Sequence, residues 1–310
     1  MTQDKLLLRK YFGWRAAGVI FLAIPLCCPF TGFAGVVTLG SAQNFAVLSG
    51  AGATVGGACC TVVSGSLGDY PLGLSSITGF PTPGSLVNGT FYASDQLSPI
   101  AEQARADENT AYNTLTALPS TANESGVILG TGGTVGTLLP GVYTFASSAQ
   151  MEGTLTLDFN GQSNAMFVFQ IATTLTTGSG AVIHVIGANP TNSIYWQVGS
   201  SATLGSNTIF AGNILASDSI TLGPGAAIAC GRAFAYTGSV TMADTNFISD
   251  NCSLYNTLTG YSSAGPTDFG SYGFSGNSQA TPEPGTFLLL GIGFAGFAGK
   301  CSGRRRQVAS

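Results

Sequence analysis

The sequence predicts a mainly β fold: a right-handed β-solenoid of about 18–20 residues per coil with three faces, and one long α-helix packed alongside. Three observations carry this. Five ten-residue stretches, AQMEGTLTLD, FQIATTLTTG, WQVGSSATLG, ILASDSITLG and FAYTGSVTMA, align without gaps from Ala149, Phe169, Trp196, Ile214 and Phe234. In each, the sixth and eighth residues are Ser or Thr around an apolar seventh. That is period two, the pattern of a strand with hydroxyls outward and aliphatics inward. The eighth-position residues, Thr156, Thr176, Thr203, Thr221 and Thr241, recur at intervals of 20, 27, 18 and 20. Three short strands with Gly-rich corners fill such an interval, so each unit is one coil that buries its aliphatics against its neighbours. A β-sandwich would not keep the same hydroxyls in register through its hairpins.

The elements follow in chain order. Lys5, Arg9, Lys10 and Arg15 precede the apolar run AAGVIFLAIPLCCPF, and Gly32-Phe33-Ala34 offers small residues for cleavage, so residues 1–34 read as a signal peptide for signal peptidase. The apolar run is short for a retained span. The solenoid occupies residues 35–252. One segment in it departs from the pattern: from 98 to 118, Ile100, Ala104, Ala111, Leu115 and Leu118 share a stripe at helical spacing. Ser98 is the expected N-cap, Pro99 the first position, and Pro119 the stop. This helix is expected to lie along one solenoid face and cover apolar surface. The interval of 27 contains GANPTN, a turn-rich insertion at a corner. Residues 253–281, rich in Gly, Ser and Tyr, form a linker.

The C-terminal residues 282–310 have three parts. Pro282-Glu283-Pro284 is followed by the apolar GTFLLLGIGFAGFAG and then by Lys300 and Arg304-Arg305-Arg306. The apolar part just suffices as a short transmembrane segment, with the basic cluster on the cytoplasmic side. The order of motif, span and Arg cluster resembles the PEP-CTERM sorting signal of Gram-negative bacteria. That resemblance implies an exosortase as partner, cleavage near the motif, and release or attachment within an extracellular polysaccharide matrix, with transient membrane anchoring beforehand.

Composition narrows the function. Of 310 residues, 44 are Gly and only 24 are charged. Between Gly35 and Ala280, two bases (Arg105 and Arg232) stand against twelve acids, a net charge of −10. Such a surface repels phosphate, which excludes nucleic acid as a partner. Polysaccharide cleavage needs grouped carboxylates, or bases with a metal. Here Glu152, Asp158, Asp218 and Asp244 read as turn residues without visible pairing. The single His184, in AVIHVIG, reads as a surface or hydrogen-bonded strand residue, and no G-x-S-x-G elbow accompanies it. The chain is therefore expected to be no enzyme, with no catalytic residue, metal or cofactor. Of the four Cys left after processing, Cys59, Cys60, Cys230 and Cys252, the pair Cys230 and Cys252 lies 22 residues apart, near one coil, and is a candidate disulfide. Three connectivities remain open. Arg232 in ACGRAFA is expected to pair with a corner carboxylate or to cap backbone carbonyls.

VTLGSAQNFAVLSGAG, the helical insertion, LLPGVYTFASSAQMEGTLTLDFNGQSNAMFVFQI and IYWQVGSSATLGSNTIFAGNILASDSITL are similar, in that order, to the microbial ice-binding-protein family. The resemblance runs from about Val36 to Asn251. It implies a discontinuous solenoid with an accompanying helix, and a T-A/G-x-T/N motif at the edge of a flat face. The matching positions here read Thr177-Gly178-Ser179-Gly180, Ser206-Asn207-Thr208-Ile209 and Pro224-Gly225-Ala226-Ala227, none completing the motif. Two sets of candidate ice-binding residues result. The ladder set is Thr154, Thr156, Thr174, Thr176, Ser201, Thr203, Ser219, Thr221, Ser239 and Thr241; the motif-edge set is Thr177, Ser206 and Thr208. Strands stacked roughly 4.7–4.9 Å apart, with alternate residues roughly 6.6 Å apart, would set the ladder hydroxyls in a two-row grid suited to ice or ordered water. The expected function is that of a secreted, non-catalytic ice-binding-like surface protein; the competing one is a structural or adhesive matrix component without ice contact.

Overall fold

The computed structural model describes residues 37–252 apart from 83, 97 and 98. The signal peptide, the linker, the sorting segment and the expected N-cap Ser98 lie outside the described residues. Among the described residues every strand pairing is parallel, and the strands form three sheets of nine, eight and eight strands. Parallel sheets need a connection at each step, and here the connection is the rest of the coil. The first coil comprises Phe45–Ser49, Ala53–Val55 and Thr61–Ser64, and the second Ser66–Asp69, Ile77–Thr78 and Gly84–Val87. Phe91–Ala93 begins a third. Helix α1, Ile100–Ala117, then leads to Ala122–Asn123 at the opposite end of the first sheet. Six coils return from there. The last of them, Ala233–Ala235, Val240–Met242 and Phe247–Ser249, pairs with the three strands of the first coil. The solenoid is thus continuous in space and discontinuous in sequence.

Register corrects one part of the repeat. Tyr143 pairs with Phe169 and Ala149 with Leu175, so the coil that matches FQIATTLTTG begins at Tyr143, not Ala149. AQM lies in the second sheet, and Thr154 and Thr156 lie one sheet further on, in Thr154–Asp158. Period two holds on all three faces, so alternation alone does not tell them apart. The other four stretches are in register with one another on the second sheet; on the first, Phe234 pairs with Leu215 and not Ile214, so the last stretch is offset there by one residue. The GANPTN insertion stacks on the longer turn of the preceding coil, where Asn189 and Asn192 both donate to the Gln162 carbonyl, at 2.9 and 2.8 Å.

Inside the solenoid, Tyr143, Phe169 and Trp196 occupy neighbouring register positions and stack. The Phe169 and Trp196 ring centroids are 3.7 Å apart at 6°. Trp196 satisfies its indole N–H on the Ala211 carbonyl at 3.1 Å, so the ring is buried without an orphan donor. A second core lies between the first sheet and α1. Leu48, Phe234, Leu215 and Tyr195 face outward from the sheet and are fully buried, together with Ala101, Ala104, Ala111 and Leu115 of the helix. The helix covers apolar sheet surface, as its stripe predicts. The stripe is rotated, however: Ile100 is 38% exposed, and the buried face runs through Ala101, Arg105 and Glu108. Two charges in that face masked it in the sequence. Pro99 takes the N-cap position in place of the first helical position expected for it, and the helix begins at Ile100.

Arg105 donates to Glu108 at 2.7 Å and to the Ala235 carbonyl at 3.1 Å, and its guanidinium lies 4.5 Å from the Tyr236 ring centroid. Gly50 is required here, because a Cβ would sit 2.2 Å from the Tyr236 oxygen and 2.6 Å from Arg105. Burial raises the Glu108 carboxyl to a pKa of about 7, outweighing the attraction of Arg105. At the other end of α1, Gln170 spends its NH2 on the Leu115, Thr116 and Leu118 carbonyls, the orphan acceptors of a helix C-terminus. Disulfides join Cys230 to Cys252 and Cys59 to Cys60.

Candidate functional site

The second sheet presents a flat outer face because of how its strands are built. Each central strand is three residues long, with the outer two buried and the middle one outward. The middle residues are in direct register from coil to coil: Thr78, Thr54, Thr241, Thr221, Thr203, Thr176, then Gln150 and Ile128. Six threonines in an unbroken row span about 24 Å at normal strand spacing. All are exposed except Thr241, which is half-buried. β-branching fixes each χ1 within the strand, so methyls and hydroxyls repeat with little rotamer freedom. Thr78 donates to Thr54 at 3.1 Å.

Small residues flank the row. After five of the threonines come Gly56, Gly178, Gly205, Gly223 and Ala243, so little rises beside the middle of the ladder; Phe80 follows Thr78 at one end, and the Glu152 carboxyl lies over Gly178 at the other. At Gly205 this is also a packing need: a Cβ would lie 2.5 Å from the Thr177 carbonyl oxygen of the adjacent coil. On the other side lie Thr174, Ser201, Ser219 and Ser239, all half-buried. Ser201 Oγ accepts the Ser219 amide at 3.3 Å and Ser219 Oγ accepts the Ser239 amide at 3.2 Å. These hydroxyls stitch the corner, so the expected two-row grid reduces to one exposed row with a bonded border.

The candidate residues separate accordingly. Thr176, Thr203, Thr221 and Thr241 share the face. Thr154 and Thr156 do not; Thr156 pairs with Thr137 and His184 on the third sheet. Thr54 and Thr78, absent from both candidate sets, extend the row. Their signal was present: Ala53-Thr54-Val55-Gly56 repeats Ala202-Thr203-Leu204-Gly205, and Ile77-Thr78-Gly79 echoes Ile220-Thr221-Leu222-Gly223. At the motif edge, Thr177 and Thr208 are 3% and 0% exposed and share a hydrogen bond of 2.8 Å. Thr177 Oγ1 also accepts the Gly205 amide, and Thr208 Oγ1 reaches the Gly178 carbonyl. They fasten a corner from within and offer no hydroxyl to a flat surface. Ser206 beside them is half-buried.

Arg232 donates to the Gln43 carbonyl at 3.0 and 2.8 Å and to Asn213 at 3.0 Å, capping a backbone carbonyl at the short helical turn Gly40–Asn44. His184 is half-buried in a strand, and desolvation lowers its pKa. Among the described residues, no three His, Cys, Asp or Glu side chains converge on a metal position.

The Ice-binding-like family model matches residues 47–248, and the model of the PEP-CTERM protein-sorting motif matches residues 280–306. The ice-binding protein of Nostoc sp. (strain HG1) is 49% identical over 219 residues, covering 71% of this chain and 76% of that protein. Ice-binding protein 1 of Shewanella frigidimarina is 34% identical, over 68% of this chain and 25% of its own. The solved domain of that protein superposes with a TM-score of 0.62 over 69% of this chain and 97% of the domain. An ice-binding protein from an Antarctic biological consortium superposes at 0.61 with 43% identity, over 69% of this chain and 90% of its own. With the helix-covered discontinuous solenoid and its threonine face in place, this chain belongs to the Ice-binding-like family.

Proposed function

We propose that the exported protein adsorbs to ice, or orders water, through the threonine face of the second sheet. One observation carries the reading: six threonines stand in direct register on successive coils, five of them flanked by Gly or Ala. A rigid row of this kind contributes many weak contacts at once, and little side-chain entropy is lost on adsorption. Charges would hold their own hydration shells; none interrupts the row, and Glu152 lies at one end, its carboxyl over Gly178. A matrix role without ice contact is less favoured, since the relatives are named ice-binding proteins. The sorting motif at 280–306 suggests export to the surface or medium of a Gram-negative bacterium. In finer detail, we propose removal of residues 1–34, brief anchoring through the apolar segment after Pro284, and exosortase cleavage near Pro282. The solenoid at 35–252 would then stand clear of its attachment point on the linker at 253–281.

Ice-affinity partitioning and thermal hysteresis of the purified protein test the central claim. Enrichment in the ice fraction is expected. A protein that stays in the liquid at every concentration and leaves the freezing point unchanged would remove the proposal.

A further inference from the structure

We propose a second binding site, for an uncharged polysaccharide strand, in the seam between α1 and the corner joining the first and second sheets. At the C-terminal end of α1 the seam opens into a hollow of about 400 Å³. Its polar lining includes Tyr112, Thr116, Asn123, Thr144, Gln170 and Gln197, and Ala146, Ala172 and Gly199 close it at the corner. Four of the polar residues form one register row, Asn123, Thr144, Gln170 and Gln197. The same row continues as Leu215, Phe234 and Leu48 under the helix. The row changes from apolar to amide and hydroxyl where it enters the hollow. Gln170 spends its NH2 on the end of α1 and Gln197 bonds Tyr112, whereas Asn123, at the outer end of the row, is exposed.

The chemistry of the lining selects the ligand. Amides and hydroxyls both donate and accept, as sugar hydroxyls require, and a tyrosine ring offers a flat partner for the C–H face of a pyranose. The seam carries tyrosines beyond the hollow. Tyr70, bonded to Glu102 at 3.1 Å, and the exposed Tyr236 follow strands two positions apart in the first sheet. Tyr112 reaches the Val198 carbonyl at 3.4 Å, two strands beyond Tyr236. Two strand spacings are about 10 Å, so the tyrosines recur at an interval comparable to a β-linked disaccharide. Glu102, Asp218 and Glu124 border the seam, which disfavours an anionic polymer. The site is concave where the threonine face is flat, and the two are separate surfaces.

The test is retention of the whole protein on microcrystalline cellulose and on chitin, with soluble alginate as the anionic probe. Retention on at least one neutral polymer is expected, with none on alginate. Thr116→Trp, an exposed substitution that fills the hollow, and Asn123→Asp, which removes a donor, are each expected to weaken it about tenfold. Melting curves show whether each variant is folded; since both positions are exposed, at least one native-like variant is expected, and the comparison uses it. Thr203→Tyr should leave retention unchanged, so failure here and failure of ice adsorption are distinguishable. The proposal is overturned by no retention on either neutral polymer, by alginate binding at least as strongly, or by a folded Trp variant that binds like the parent.

Discussion

Thr203 shows what a single residue contributes. It is the middle of a three-residue strand whose neighbours Ala202 and Leu204 are buried, and it touches little but its counterparts Thr176 and Thr221. Thr203→Tyr or Thr221→Tyr should abolish ice partitioning while stability stays within about ±0.5 kcal/mol, because both sites are exposed and cap nothing. Thr54→Tyr, on the other side of the sequence break, should do the same, and retained partitioning in that variant would confine the site to the C-terminal coils. Thr208→Tyr should behave oppositely and lower the melting temperature, since the residue is enclosed with Thr177. Glu108 provides a pH test. Its folded pKa of about 7 lies above the ordinary carboxyl value, so the stability it contributes is present below about pH 4.5 and is lost as pH rises through about 7. Relative to Glu108→Gln, the parent should therefore lose melting temperature between pH 5 and 8; parallel curves would mean the carboxyl is ionised throughout.

At the scale of elements, each coil depends on its neighbours for burial. Ile220 and Leu222 face the interior at 0% exposure, so Asp at either should unfold the protein by placing an unpaired charge in a dry core. Wild-type melting in either variant would show the inward assignment to be wrong. Helix α1 is held at its middle and at its C-terminal end by side chains: Ser41 donates its amide and hydroxyl to Asp107 at 2.7 and 2.6 Å, and Gln170 satisfies the C-terminal carbonyls. Gln170→Ala should cost about 1–3 kcal/mol by stranding those acceptors, read as a fall in denaturation midpoint. The helix stripe was legible in the sequence through Ala104, Ala111 and Leu115. Its rotation was not, because Arg105 and Glu108 look like a solvated pair until the Ala235 carbonyl and Tyr236 receive the guanidinium.

For the whole molecule, the closing contact is the pairing of the last coil with the first. Phe45–Ser49 lies between Ala233–Ala235 and Ser66–Asp69, so N-terminal and C-terminal coils share one core and unfolding should be a single transition. The processing proposed above removes both chain ends. Mass spectrometry of the protein from its host should show a start near Gly35 and an end near Pro282; an intact Arg304-Arg305-Arg306 on exported material would contradict the processing proposed above.

The sequence by itself determined the solenoid, the coil length over Phe169 to Met242, the helix and the outward threonines, because each is written in local periodicity and each repeat has the same environment. Tertiary structure decided which residues share a face. Thr156 and Thr176 have the same alternation but lie on different sheets, and only strand register separates them. Thr54 and Thr78 join the ladder across a break of more than 150 residues, through pairing that no short window contains. Thr177 and Thr208 match an exposed motif in text and are buried in space, because a corner turns their hydroxyls inward. Period two specifies in or out; it carries no information on which of three walls a strand belongs to, and that was fixed by the stacking of whole coils.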